Sequence, residues 1–294
     1  MNTFIDFARA NGVLIDRLID DGRIHRCPTT THERKRNGAY WFDGSRGWTH
    51  AWDSDGLTHF FNDPNARPWS DAEKRAQQAQ RIARAREQEQ RHQKAANEAR
   101  ALLQRAQWAP AAYMTYKGFK ERMTRHTKPE WKHGYAHVVD GAMCIPMYSL
   151  DGSIVGAQMI RWIDQKHEKK MLPGTRAKGA VFRLGNPQAM TTWLVEGFCT
   201  GLSVKLALEQ MRFPDAVLVC FSDSNMVHVA PMVKGRKFVF ADNDSSGAGE
   251  RAAKATGLPY CMAPEVGMDA NDLHVRDGLF AVAGLIQRAR HSEP

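Results

Sequence analysis

Two aspartates, Asp242 and Asp244, close the run Lys237-Phe238-Val239-Phe240-Ala241 and lead into Ser245-Ser246-Gly247. The four apolar residues, aromatic and β-branched among them, read as a short buried strand. The i, i+2 spacing sets both carboxylates on one face at that strand's end. The serines and the glycine permit a sharp turn, and 248–255 reads as a helix. In an α/β pattern, ligands and metals gather at the carboxyl ends of strands. Two carboxylates held together repel unless a cation lies between them, and a hard ion such as Mg²⁺ suits oxygen ligands. An Asp-rich turn with no such role is the competing reading of Asp-x-Asp-x-x-Gly taken alone.

A second acidic point follows another buried-strand run, Thr191-Thr192-Trp193-Leu194-Val195, which ends at Glu196-Gly197. The segment 200–211 is helix-like, with Leu202, Leu206 and Met211 near one face, and 216–221 is a further strand. Asp269-Ala270-Asn271-Asp272 comes after the short apolar run 258–262. This alternation predicts a parallel sheet flanked by helices and linked by right-handed crossovers. Glu196 and the aspartate pair would then share its carboxyl edge.

Glu-Gly after one strand, Asp-x-Asp-x-x-Gly after a later one and Asp-x-Asn-Asp beyond resemble the TOPRIM domain of primases, topoisomerases and some nucleases. The match runs from Gln188 to the C-terminus. It is closest to the primases of phages and mobile elements, whose last motif commonly reads Asp-x-Asn-Asp-Leu, as 269–273 does here. The resemblance implies an α/β TOPRIM fold, with Glu196 as general acid or base and Asp242, Asp244 and Asp269 holding Mg²⁺ or Mn²⁺. Asp272 either assists that metal site or caps the helix that Leu273 and His274 begin.

At 294 residues the chain has room for two or three small domains. A formal net charge of +9 suits a polyanionic partner. The five cysteines, Cys27, Cys144, Cys199, Cys220 and Cys261, form no Cys-x-x-Cys pair. Neither a disulfide framework nor a four-cysteine zinc site is indicated. With no signal peptide and no membrane-length apolar run, a cytoplasmic protein is expected, in the host cytoplasm if phage-encoded.

Residues 1–68 read as a small aromatic-rich, β-containing domain, opened by a helical pattern over 4–19 that is interrupted at Gly12. Strands are expected after Asp21-Gly22, over 39–44 and 48–52, with 57–61 as one more. Asp-Gly-x-x-His-Arg followed by a strand pair resembles the N-terminal region of the same primases. His25, Cys27 and His32 fit no common zinc spacing. Trp41, Trp48 and Trp52 either form the sheet's core or stack bases. After the structure-breaking segment 63–68, Ser70 and Glu73 make a capping box. A polar helical connector follows over 69–108, either a solvated spacer or a track for phosphates along Arg81, Arg84, Arg91 and Lys94.

Residues 109–187 read as a basic α+β region. Its Tyr113-Met114-Thr115-Tyr116-Lys117-Gly118 resembles the Tyr-Leu-x-x-Lys-Gly element ahead of the TOPRIM domain. A hairpin over 143–148 and 154–162, a charged turn over 165–170 and strands at 171–174 and 180–184 complete it. Its cations include Lys117, Lys120, Arg122, Arg125, Lys128, Lys132, Arg161, Lys166, Lys169, Lys170, Arg176, Lys178 and Arg183, interleaved with Tyr116, Phe119, Trp131 and Trp162. Such a surface suits a single strand or a nucleotide phosphate. Arg161, Lys170 and Lys178 are the leading candidates. The TOPRIM catalytic domain fills 188–294.

The expected activity is metal-dependent nucleotidyl transfer, a DNA primase joining nucleoside triphosphates on single-stranded DNA. Two features depart from the family. The cysteine-rich zinc module is absent, and no Gly-x-x-x-x-Gly-Lys-Ser/Thr loop occurs, so a separate helicase partner is expected. A TOPRIM nuclease and a non-catalytic nucleic-acid-binding accessory protein remain as alternatives. A topoisomerase is disfavoured, since no tyrosine stands out as a nucleophile.

Overall fold

The computed structural model describes residues 3–54, 56–63, 69–119, 130–163 and 166–291. The expected breaker at Pro64–Pro68, Gln165, and the cations Lys120, Arg122, Arg125 and Lys128 lie outside the described residues. The chain divides into two units, Met1–Arg81 and Ile82–Pro294.

The first unit opens with α1 (Phe4–Ala10), capped by Thr3. The interruption expected at Gly12 falls where the chain turns at a φ of 76°, and the helical pattern does not resume over 13–19. Strands β1 (Ile24–Cys27), β2 (Gly38–Phe42), β3 (Arg46–Ala51) and β4 (Thr58–Asn62) form an antiparallel meander. Its core joins Phe4 and Ala8 of α1 to Tyr40, Phe42 and Ala51. Phe4 stacks on Phe42 with ring centroids 4.5 Å apart. His25 and His32 bond to the carboxylates of Asp21 and Asp53, respectively.

Helix α2 (Asp71–Arg105) begins with the expected box: Ser70 N–H donates to Glu73 and Glu73 N–H to Ser70 Oγ. It is not polar all round. Ala95, Ala96, Ala99 and Leu102 are buried, and Ala99 and Leu102 pack with Cys144, Ala157, Met159 and Leu172. Gln107, expected within the helix, starts a strand instead.

The second unit holds two sheets. Strand β5 (Gln107–Pro110), helix α3 (Ala112–Tyr116), a 3₁₀ turn at Trp131–His133, and strands β6 (Tyr135–Val139), β7 (Ala142–Tyr148), β8 (Ile154–Ile163) and β9 (Lys166–Met171) come first. The five strands pair in chain order, all antiparallel. The charged segment expected to turn is thus β9, whose backbone bonds to β8 override its polar composition. Leu172–Gly174, expected as strand, lies beyond it.

The second sheet contains β10 (Phe182–Leu184), β11 (Thr191–Val195), β12 (Ala216–Val219), β13 (Arg236–Ala241) and β14 (Tyr260–Met262), in the order β10-β12-β11-β13-β14. Its last four strands are mutually parallel and β10 is antiparallel. Helices α4 (Phe198–Gln210), α5 (Asp223–Val229), α6 (Ala248–Thr256), α7 (Ala270–Asp277) and α8 (Leu279–His291) complete the chain. Trp193, Val195, Val217, Phe238 and Phe240 pack with α4, α7 and α8, whereas Leu194, Leu218, Val239 and Ala241 pack with α5 and α6. Both faces of β11 and β12 are therefore covered, which explains their unbroken apolar runs.

Candidate acidic active site

Strand β11 lies between β12 and β13, so the chain leaves it on one side and returns on the other. The carboxyl ends of β11 and β13 thus flank a topological switch point, where open α/β sheets form crevices. The register Leu194↔Val239, continued outward, sets Glu196 level with Ala241 and one residue short of Asp242.

The β12 exit is drawn against Glu196 by two backbone bonds. Cys220 N–H donates to Val195 O at 2.8 Å and Phe221 N–H to Glu196 O at 2.9 Å. Phe221 takes a left-handed φ of 65°, a costly conformation for an aromatic residue. That bend sets Asp223, first residue of α5, beside Glu196. Burial, the Asp223 carboxyl, Asp242 and Asp244 together raise the Glu196 pKa to about 8.

Asp242 stands just past β13, half-buried, with its Oδ1 buried and unpartnered. Burial first, then the charges of Asp269, Asp223, Asp272 and Asp244, raise it to about 7. Asp244 goes the other way. Burial alone would raise it, but hydrogen bonds from Ser246 Oγ and from the N–H groups of Gly249, Ala248 and Ser246 outweigh that and lower it to about 2. It is a firm carboxylate held on the first turn of α6. The approach is tight: a Cβ on Gly249 would sit 2.2 Å from Asp242 O, so only glycine fits.

Asn243, between the two aspartates, ties the far acids to this edge. Its N–H donates to Met268 O at 3.0 Å and its Nδ2 to Ala263 O at 2.9 Å. The chain after β14 is thereby pinned beside β13, and Asp269 follows at once. Asp269 caps α7, accepting from Asp272 N–H at 2.8 Å, while Asp269 N–H donates back to Asp272 Oδ2. Asp269 Oδ2 also accepts from Thr200 Oγ1 on α4 at 3.0 Å. The helix thus starts at Ala270, earlier than expected: Asp269 is its N-cap, and Asp272, read in the sequence as the cap of a helix begun by Leu273, is instead the reciprocal partner in the first turn.

A lysine completes the cluster. Lys117 Nζ donates to Asp272 Oδ1 at 3.2 Å. Burial would lower its pKa, but Asp269 and Asp272 outweigh that and raise it. Asn271, wholly buried, holds Lys117 in place by donating to its carbonyl at 2.9 Å and to Ser203 Oγ at 3.2 Å.

The cations expected to matter are not all gathered here. Pairing of β8 with β9 puts Ile160 opposite Lys169, and Met159 opposite Lys170. Ile160 faces the core that contains Tyr113 and α4, and Met159 faces α2. Lys169 thus shares the face toward the acids, with its Nζ 5.2 Å from the Tyr113 ring. Arg161 and Lys170 lie on the other face by strand alternation, and Lys170 pairs with Glu168 at 2.7 Å. Lys178 is exposed; its neighbour Gly179 donates to Asn225 Oδ1 of α5 at 2.6 Å, which keeps it on the Asp223 side.

On the Lys169 face, the His167 ring lies 4.6 Å from Trp162, 5.0 Å from Tyr113 and 5.2 Å from Tyr116. Trp162 and Tyr116 remain largely exposed. Asp223 and Asn243 were given no role in the sequence reading, and Lys169 stood there only among the region's many cations, not among its leading candidates. Asp223 had a signal, an apolar run ended by a small polar residue and an acid, as at 241–244.

Six carboxylates, of Glu196, Asp223, Asp242, Asp244, Asp269 and Asp272, thus interact at one edge. Among the described residues, no three His, Cys, Asp or Glu side chains close around a point as a finished metal cage. Oxygens of Asp244, Asp269 and Asp272 are taken up by backbone N–H groups, Thr200 and Lys117. The donors nevertheless fit a divalent cation. The orphaned Asp242 Oδ1 and the proton affinity forced on Glu196 and Asp242 are what a carboxylate cluster shows in place of a neutralising ion.

No protein-family model matches the chain. Among solved structures, a DnaG catalytic core is similar over 50% of this chain and 53% of its own, at 14% identity and a TM-score of 0.39. The match thus spans about half the length of that structure. The primase fragment of the bacteriophage T7 primase-helicase protein is similar at 17% identity over 52% of this chain and 66% of its own, with a TM-score of 0.38. A DnaG primase catalytic domain bound to single-stranded DNA is similar at 14% identity over 69% of this chain and 71% of its own, with a TM-score of 0.39.

Proposed function

We propose that this chain carries out metal-dependent nucleotidyl transfer as a TOPRIM-type DNA primase, joining nucleoside triphosphates on a single-stranded DNA template. The observation that carries this reading is the convergence of Glu196, Asp223, Asp242, Asp244 and Asp269 at one sheet edge, where burial and the neighbouring carboxylates raise the pKa of Glu196 and of Asp242. Mg²⁺ or Mn²⁺ held by Asp242, Asp244 and Asp269, with Glu196 and Asp272 adjoining, would draw charge from the reacting phosphoryl oxygens.

The chain's own groups divide the remaining work. Glu196, with a pKa of about 8, exchanges a proton near neutral pH and is suited to take one from an attacking 3′-hydroxyl. Asp223 beside it tunes that proton affinity. Lys117 and Lys169 supply positive charge toward the triphosphate, and the Trp162, His167 and Tyr116 rings offer surfaces for bases. Lys178 stands near the Asp223 side of the cleft, whereas Arg161 and Lys170 would meet a strand running over the other face. A separate helicase would supply unwinding.

The discriminating experiment is an incubation with single-stranded DNA, labelled ribonucleotides and Mg²⁺ or Mn²⁺. New short oligonucleotides, absent with Asp242→Asn, are the expected product. A shortened template without synthesis would replace this reading by a nuclease. Strand binding with neither reaction would leave an accessory binding protein.

A further inference from the structure

The four-stranded sheet of the first unit has two unlike faces. One carries Tyr40, Phe42, Ala51 and Phe61 against α1. The other carries Ile24, Trp41, Trp48 and Phe60, which are direct cross-strand partners in the series Ile24↔Trp41, Trp41↔Trp48 and Trp48↔Phe60. An apolar and aromatic stripe thus crosses all four strands on the side away from the core. Ile24 is 64% exposed and Phe60 73%. A contiguous stripe of this kind on a solvent face marks a binding surface.

The chemistry around the stripe narrows its occupant. By alternation, the remaining strand residues on this face are Arg26, Ala39, Arg46, His50, Thr58 and Asn62. Two are cations and none is acidic. Arg26 is fixed by two hydrogen bonds to Arg36 O, at 3.1 and 2.8 Å, with its guanidinium 4.0 Å above the half-exposed Trp52 ring. The Trp41 ring is likewise set, its Nε1 donating to Gly22 O at 2.7 Å. Arg46 lies over the Trp69 ring at 4.8 Å. An exposed Phe60 ring beside partly exposed Trp41 and Trp48, on a face whose strand residues include two cations and no acid, matches the stacked bases and phosphates of an unpaired strand. A four-stranded sheet is about 14 Å across, room for two or three bases.

We propose that this sheet face holds single-stranded DNA, with bases stacked across Trp41, Trp48 and Phe60 and phosphates drawn to Arg26 and Arg46. The choice of DNA rests on the function proposed above. The binding itself needs neither the acidic site nor a metal.

The test uses the full chain in EDTA, with a fluorescent 20-nucleotide thymidine strand followed by anisotropy. Phe60→Ala should weaken binding about tenfold, and Phe60→Trp should restore it. Arg26→Gln should lower the salt dependence by about 0.7 in log–log slope. Phe60 is exposed, so thermal unfolding should be unchanged in its variants. Unaltered affinity in Phe60→Ala would overturn the proposal, as would an abasic strand bound as tightly as the thymidine strand. Preference for a uridine RNA strand would make RNA the occupant and overturn it. So would loss of self-association in Phe60→Ala with no effect on DNA binding, which would assign the face to a second copy. Loss of oligonucleotide synthesis with this binding intact would count against the catalytic reading alone.

Discussion

Lys117 Nζ reaches Asp272 Oδ1 at 3.2 Å across 155 residues of sequence, fastening the turn after α3 to the first turn of α7. The pair is partly exposed, with side-chain accessibilities of 19% and 43%, so it contributes roughly 1 kcal/mol or less to stability. Its weight lies in position, since it is a cation beside acids that otherwise only repel.

Lys117→Met should therefore lower oligonucleotide synthesis at least about a hundredfold, the cost of removing one preorganised charge from a reacting centre. The urea midpoint should move little. Steady-state rates together with an unfolding curve check this. A rate within threefold of native would remove Lys117 from the site.

Gly249→Ala should act through packing. The added Cβ meets Asp242 O at 2.2 Å, a backbone atom that cannot swing away. Overpacking of this kind costs about 1–3 kcal/mol. Because the strain falls on Asp242 itself, activity should fall more steeply than stability. Chemical denaturation and assay of one preparation measure both.

Stability should depend on pH in a direction set by Glu196 and Asp242. Both hold a proton more tightly folded than unfolded, with pKa values of about 8 and about 7. Their stabilising effect is whole below the ordinary carboxylate range and is lost as pH rises through 7 to 8. Asp244, at about 2, runs the other way but only in strong acid. In EDTA, Glu196→Gln should melt increasingly above native as pH climbs from 5 to 8, and Mg²⁺ should narrow that gap by stabilising native. Melting curves across that range test it; a gap that shrinks with pH in EDTA would contradict it.

The two neighbouring lysines of β9 should behave differently. Lys169→Ala, on the face toward Tyr113 and α4, should raise the KM for nucleoside triphosphate roughly tenfold. Lys170→Ala, on the α2 face and already paired with Glu168, should change it by less than twofold. Equal effects from both would refute the placement of Lys169.

The runs ending at Val195 and Ala241 announced buried strands because both sheet faces are covered, so no polar alternation interrupts them. The acids at their ends stood out for the same reason. Lys169 could not be read this way. Lys-His-Glu-Lys-Lys-Met has the composition of a turn, and only its pairing with β8 makes it a strand and assigns each lysine a face. Asp223 opens α5 just after its cap, Ser222, and its nearness to Glu196 depends on the left-handed backbone at Phe221, which no residue type announces. Trp41 and Trp48 had two readings in sequence, core or platform, and register turns both away from the Phe4 core.

Direct titration of Mn²⁺ into the native protein, followed by electron paramagnetic resonance at pH 8 without nucleotide or DNA, tests most plainly whether these carboxylates form a cation site. Saturable binding in native protein, lost in Asp242→Asn and weakened at pH 5.5 as Glu196 and Asp242 take up protons, is the expected result. Binding that survives Asp242→Asn unchanged, or native protein that leaves all Mn²⁺ free, would contradict it.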